Sequence, residues 1–190
     1  MSERLIMLDV PGVLYSDHSE ARLGGLLTSG TLRDVKFFDP IALGFIRRLF
    51  GLTGARVVVS DAWRRGTPAA ILQQLDLQVE GMMPAVAGGP GAEIAAYLAS
   101  RPALQSYVIL TCAGSSIADP QRPHLVNVNP AEGMTVENFK QALDVLGVAC
   151  PSSLDIDSKV DARLEARLHQ LRRLARAACG ALPRHLAAHA

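Results

Sequence analysis

"LIMLDVPGVLYSD" (Leu5–Asp17) decides how this chain reads. Four apolar residues, Leu5 to Leu8, run without a polar interruption and end on Asp9, the pattern of a strand buried on both faces. Gly12 follows and permits a tight turn, so the Asp9 carboxylate is placed at a strand tip beside a loop. Ligands of open parallel sheets collect at the carboxyl ends of the strands, which makes Asp9 the first candidate site residue. Pro11 complicates that picture. It stands two positions after the aspartate, where sites of this kind often carry a second acid, and it offers neither an acid nor a backbone N–H.

Outward from this strand, short apolar runs alternate with capped segments of helical period, the signature of a parallel sheet with crossover helices. Asp39-Pro40 supplies an N-cap and a proline in the first helical turn; Ile41, Phe45, Ile46, Leu49 and Phe50 share one face, and Gly54 stops the helix. "RVVVS" (Arg56–Ser60) is a second buried strand that ends on a hydroxyl. Thr67-Pro68 opens the next helix in the same manner, through Ile71, Leu72 and Leu75. Val79 and "MMPAV" form a weaker strand candidate, Ala87–Gly91 a loop, and Ala92–Ala99 a helix. Tyr107–Leu110 is a third strong strand that delivers Thr111 and Cys112, Leu125–Val128 is a fourth, and Thr135 caps a helix to about Leu146. Between Tyr15 and Phe38 no period emerges; a flap or hairpin beside the first strand is expected there.

The bulk numbers agree with an α/β domain. At 190 residues the chain suits one domain with an appendage, and 49% hydrophobic residues against 5% aromatic ones imply an aliphatic core. A formal net charge of +1 gives no overall drive toward nucleic acid or anionic membrane. Three widely spaced cysteines, Cys112, Cys150 and Cys179, form neither a disulfide framework nor a zinc pattern, and the five histidines show no ligand spacing. The first residues lack the apolar run of a signal peptide and no stretch approaches a membrane span, so the expectation is a soluble, cytoplasmic protein.

Residues 1–150 are expected to form the sheet domain and residues 151–190 a helical extension. Val160, Leu164, Leu168, Leu171 and Ala178 make a stripe at helical spacing, with Asp157 or Ser158 as N-cap and Gly180 and Pro183 as the stop. Residues 151–190 hold seven Lys and Arg against four Asp and Glu, a net +3, and leave −2 for the rest. Acids come first and arginines last, which matches the helix dipole.

The strand tips then carry Asp9, Ser60 and the Thr111-Cys112 pair. A nucleophilic carboxylate facing a hydroxyl donor is an arrangement suited to receiving a phosphoryl group. The ordered set "IMLDVPGVL", "FDPIALGFIRRLFGLTGARVVVSDAWRR", "SYVIL" and "RPHLVNVNPAEGMTVENFKQALDVL" resembles the haloacid dehalogenase-like (HAD) superfamily, and more narrowly the small HAD domains of Swiss-army-knife RNA repair proteins. The resemblance covers roughly residues 5–147. It implies a three-layer Rossmann-like fold with a parallel sheet and a minimal, flap-type cap.

It also implies roles. The first aspartate of that family attacks phosphorus, and Asp9 matches it; the aspartate two positions on donates a proton, and Pro11 occupies that place. Ser60 matches the hydroxyl that holds phosphoryl oxygens. The family's basic residue ahead of the third strong strand has no match in "GGPGAEI", and Thr111 and Cys112 stand where acids hold magnesium. Losing a general acid forfeits a contribution of roughly 10²–10⁴-fold. Threonine and cysteine are poor substitutes for carboxylates around magnesium, and without metal or lysine a phosphate dianion meets Asp9 with little to offset its charge.

The expectation is therefore a catalytically degenerate HAD-like protein, a pseudo-phosphatase that binds a protein partner or an anionic small ligand and needs no cofactor. The alternative is a magnesium-dependent HAD phosphohydrolase with Asp9 as nucleophile and an atypical metal site, for which Asp119, or Asp61 beside Ser60, is a displaced ligand. An RNA-associated role follows from the family's name and the arginine-bearing tail. Cys112 is read as a small buried filler, Trp63 as packing, and Arg64 and Arg65 as a solvated helix start.

Overall fold

Leu5, Ile6, Met7 and Leu8 are each at most 1% exposed, which requires neighbours on both edges of the strand and on both faces. The computed structural model describes residues 3–102, 104, 106–151 and 170, without the side chains of Asp61 and Ala62. Five strands, β1 (Arg4–Leu8), β2 (Arg56–Ser60), β3 (Val79–Met83), β4 (Ser106–Thr111) and β5 (Leu125–Asn127), pair in parallel in the order β3-β2-β1-β4-β5. The chain winds outward from β1 to β3, then returns to the other side of β1 for β4 and β5. The reversal lies between β1 and β4, where sheets of this kind place their ligands.

Six α-helices accompany the described strands: α1 (Asp17–Leu23), α2 (Pro40–Thr53), α3 (Asp61–Arg64), α4 (Ala69–Leu75), α5 (Pro90–Ala99) and α6 (Val136–Val145). The two-residue period of β1 divides its side chains between two layers. Leu5 and Met7 join Ile94 and Tyr97 of α5, with Val58 and Ile109, in one apolar cluster. Ile6 and Leu8 are left to the opposite face. There α2 and α6 pack together, the rings of Phe45 and Phe139 stacked at 5.4 Å. The architecture is thus the expected α/β three-layer, Rossmann-like HAD fold.

Asp39 caps α2 as read from sequence: its Oδ1 accepts from Ile41 N at 2.8 Å, Pro40 takes the first helical turn, and Gly54 ends the helix at φ 70°. The analogous expectation at Thr67-Pro68 is corrected. Pro68 itself is the cap residue of α4, with no side-chain hydrogen bond, and Thr67 Oγ1 is buried without a partner among the described residues. The weak strand candidate is one continuous strand, Val79–Met83, which runs out just before Pro84.

The Tyr15–Phe38 stretch is helical, not a hairpin. Ser16 and Ser19 form a reciprocal capping box that starts α1, and a 3-10 turn covers Leu32–Phe37. A box built with serine at its third position, on a helix that buries only Ser19, leaves no apolar period in the sequence. The segment is secured by its own polar contacts: Tyr15 donates to Gly25 O at 2.6 Å, and buried Asp34 accepts from Ser29 N, Gly30 N and Thr28 Oγ1. Those donors hold the Asp34 carboxyl below the usual carboxylate range in spite of burial.

The chain divides into two units between Ala149 and Cys150. The helix expected over residues 151–190 lies outside the described residues, apart from Gln170. No described helix is long and apolar enough to cross a membrane.

Candidate functional site

Register brings three of the candidate residues abreast. Leu8 pairs with Val59 of β2 and with Leu110 of β4, so one step further Ser60, Asp9 and Thr111 stand side by side at three adjacent strand ends. Asp9 N–H prolongs the ladder by donating to Leu110 O at 2.9 Å. The chain then turns at once: Val10 O accepts from Leu14 N at 3.0 Å, and Gly12 N donates to Tyr15 O at 2.7 Å. Gly12 is required twice over. Its φ is 74°, and a Cβ there would stand 2.6 Å from Cys112 Sγ.

Asp9 is half-buried, and Thr111 Oγ1 donates to its Oδ2 at 2.9 Å. Burial raises the Asp9 pKa; the bonds from the Thr111 hydroxyl and the Val10 N–H oppose that rise without cancelling it. Thr111 Oγ1 also accepts from Ala113 N at 3.0 Å. An amide can only donate, so the single hydroxyl proton of Thr111 is directed to the aspartate.

A cavity of about 50 Å³ opens between these groups, lined by Asp9, Ser60, Glu93 and Thr111 with apolar walls that include Met83, Ile94 and Ile117. Ligand pockets for organic molecules usually measure ~300–1,000 Å³, whereas a water needs ~10–15 Å³. This one has room for a few waters. Its polar lining consists of two carboxylates and two hydroxyls, with no Lys, Arg or His among the described residues.

Helix α5 contributes Glu93 and no basic residue to the cavity lining. Gly91, in its first turn, admits no side chain, because a Cβ there would lie 2.6 Å from Ser116 O. Arg101 precedes β4 in sequence but is held by Glu80 at 2.8 Å and by Glu3, beside the start of β1. Arg65 is not among the residues lining the Asp9 cavity; it lines an adjoining shallow groove of about 740 Å³ along β3, with Met82, Val86 and Tyr97, and Met83 lines both. Glu93 was not singled out in the sequence; its place three residues after a proline that starts a helix was the available signal.

The remaining candidates with described side chains are not among the residues lining the cavity. Pro11 is exposed, and its carbonyl receives the Cys112 thiol at 3.4 Å. Cys112 is half-buried rather than a sealed filler, and burial, with the Asp9 charge second, pushes its thiol up in pKa. Asp119 is exposed and paired with Arg122 at 2.8 Å, and it is not among the residues lining the Asp9 cavity. Asp61 begins α3, but its side chain lies outside what is described. His124 stacks on Tyr107 at 4.0 Å.

Magnesium, which the HAD resemblance implies, prefers near-octahedral oxygen ligands. At the strand ends this chain offers the Asp9 carboxylate with an oxygen already bonded, the Ser60 hydroxyl, the Thr111 hydroxyl whose proton faces Asp9, and the Cys112 thiol, with Glu93 adding a second carboxylate to the cavity lining. No group of three His, Cys, Asp or Glu side chains converges among the described residues. This donor set does not match the ion.

Comparison with curated proteins and with solved structures finds no match. Residues 5–139 do match the family model described as the HAD domain in Swiss Army Knife RNA repair proteins, and the chain, with its parallel sheet and its aspartate at the tip of the first strand, belongs to that family.

Proposed function

We propose that this protein is a catalytically degenerate HAD-like module that acts by binding rather than by phosphoryl transfer. The observation that carries this reading is the charge of the Asp9 cavity: two carboxylates, Asp9 and Glu93, and no basic side chain among the described lining residues. A phosphate dianion entering there gains no Coulombic partner and is repelled at close range. Pro11 supplies no proton at the position of the family's second acid, and Thr111 engages the would-be nucleophile. The small volume and the acidity also argue against an anionic ligand in this cavity. A protein partner bound elsewhere on the surface is one mode of action, and RNA is the other, since the family takes its description from RNA repair proteins.

The second reading, a magnesium-dependent phosphohydrolase with Asp9 as nucleophile, is favoured by one fact: Asp9 and Ser60 still line a common cavity. A phosphatase assay with magnesium separates the two, comparing the wild type with Asp9→Asn. The expected result is no difference above background; turnover that vanishes in the variant overturns the binding reading. Salt-sensitive RNA binding, measured on the full chain and on a chain cut after residue 150, tests the nucleic-acid role.

A further inference from the structure

The mismatch with magnesium is accompanied by direct contacts between the two segments that flank that position. Thr111 Oγ1 bonds Asp9 Oδ2 at 2.9 Å, Cys112 Sγ–H reaches Pro11 O at 3.4 Å, and Asp9 N bonds Leu110 O at 2.9 Å. Gly12 packs so tightly on Cys112 that no Cβ fits between them. We infer that the ends of β1 and β4 are closed by a metal-independent clasp, in which Thr111 and Cys112 hold the Asp9 loop, Thr111 through the Asp9 carboxylate as structural acceptor and Cys112 through the Pro11 carbonyl.

Each part has a physical reason. An ionised carboxylate only accepts, so Thr111 donates its single hydroxyl proton to it while its oxygen accepts from Ala113 N. Thr111 is 2% exposed, so water does not compete freely for the bond, and a bond to a charged acceptor is stronger than a neutral one. The thiol contact is weaker, but it occupies the Pro11 carbonyl and fills the space under Gly12. A divalent ion seated between the two strand ends would have to break both contacts and accept a thiol neighbour in place of oxygen. The clasp rests on the reading of the site as degenerate, yet it concerns loop order and metal response, which are measured without any assay of turnover.

The test is amide hydrogen exchange of the full-length protein, with thermal unfolding in magnesium chloride and in EDTA. Thr111→Val is expected to speed exchange at Gly12, Val13 and Leu14 by about tenfold or more relative to Val57–Val59, the loss of one hydrogen bond to a charged group. Thr111→Ser, which keeps the hydroxyl, is expected to retain wild-type protection, and the wild-type unfolding midpoint to be the same in magnesium and in EDTA. Unchanged exchange at those three amides in Thr111→Val overturns the clasp, as does a wild-type midpoint raised by magnesium. Asp9-dependent turnover with a magnesium-indifferent midpoint would support the clasp and remove the degenerate reading, so the two failures are told apart.

Discussion

Thr111 reaches across from the end of β4 to place its hydroxyl 2.9 Å from Asp9 Oδ2 at the end of β1. Residues 102 positions apart in sequence meet because Leu8 and Leu110 are register partners and each chain takes one further step. The end of β4 therefore carries a donor that satisfies the neighbouring acid. Replacing Thr111 by Asp would set two carboxylates face to face in a half-buried setting. The expected outcome in EDTA is a loss of about 1–3 kcal/mol at neutral pH, shrinking as the pair gains a shared proton in acid, read from urea midpoints at two pH values.

Asp9 itself is a source of pH-dependent stability. Burial raises its folded pKa above the ordinary 3.8. A carboxyl with a raised folded pKa contributes its stability while protonated and loses it as pH climbs through the folded value. Ionised Asp9 is therefore a strain on the fold at neutral pH. Asp9→Asn, which can still offer its amide oxygen to Thr111, is expected to unfold at a higher temperature than wild type at pH 7. The gap should close below pH 3.8; a variant less stable than wild type at neutral pH would contradict the assigned cause.

Gly12 combines two constraints that a double-mutant cycle can separate. Gly12→Ala forces a side chain into φ 74° and toward Cys112 Sγ, so a loss of about 1–3 kcal/mol is expected. Cys112→Gly in the same chain removes the clash but not the backbone strain. The two changes should couple, with the double variant less destabilised than the sum of the singles. Strict additivity in denaturant midpoints would mean that steric contact with Cys112 is not the cause.

Strands β1, β2 and β4 were legible because each carries an unbroken aliphatic run closed by a polar tip, as buried parallel strands demand, whereas β3, with Glu80 and Gly81 inside it, gave only a weak signal. Asp9 and Ser60 were legible for the same reason, as the residues at those tips. The details that decide the chemistry of the site were not. Glu93 lines the cavity from α5, whose Gly91 lies too close to Ser116 and Ile117 to admit a Cβ, a tertiary contact with no periodic trace. The Thr111–Asp9 bond depends on register between distant strands. Helix α1 was missed because its start rests on two serines, and a helix that buries almost nothing leaves no stripe.

The junction between α1 and the core rests on Asp39, which caps α2 through Ile41 N and pairs with Arg22 of α1 at 2.9 Å. The two functions differ in size. Arg22 is 40% exposed, so its ion pair is screened and removing it by Arg22→Ala should cost about 0.2–1 kcal/mol. Asp39→Ala also leaves Ile41 N, in the first turn of a 14-residue helix, without its acceptor, at about 0.5–2 kcal/mol for the cap alone. The expected order in denaturant midpoint is wild type, then Arg22→Ala, then Asp39→Ala, with Asp39→Asn close to Arg22→Ala because asparagine caps but carries no charge. Limited proteolysis adds a spatial check: Arg22→Ala should speed cleavage within residues 17–38 while leaving the sheet resistant. Equal losses from Arg22→Ala and Asp39→Ala would show that the ion pair, and not the cap, fastens this corner of the fold.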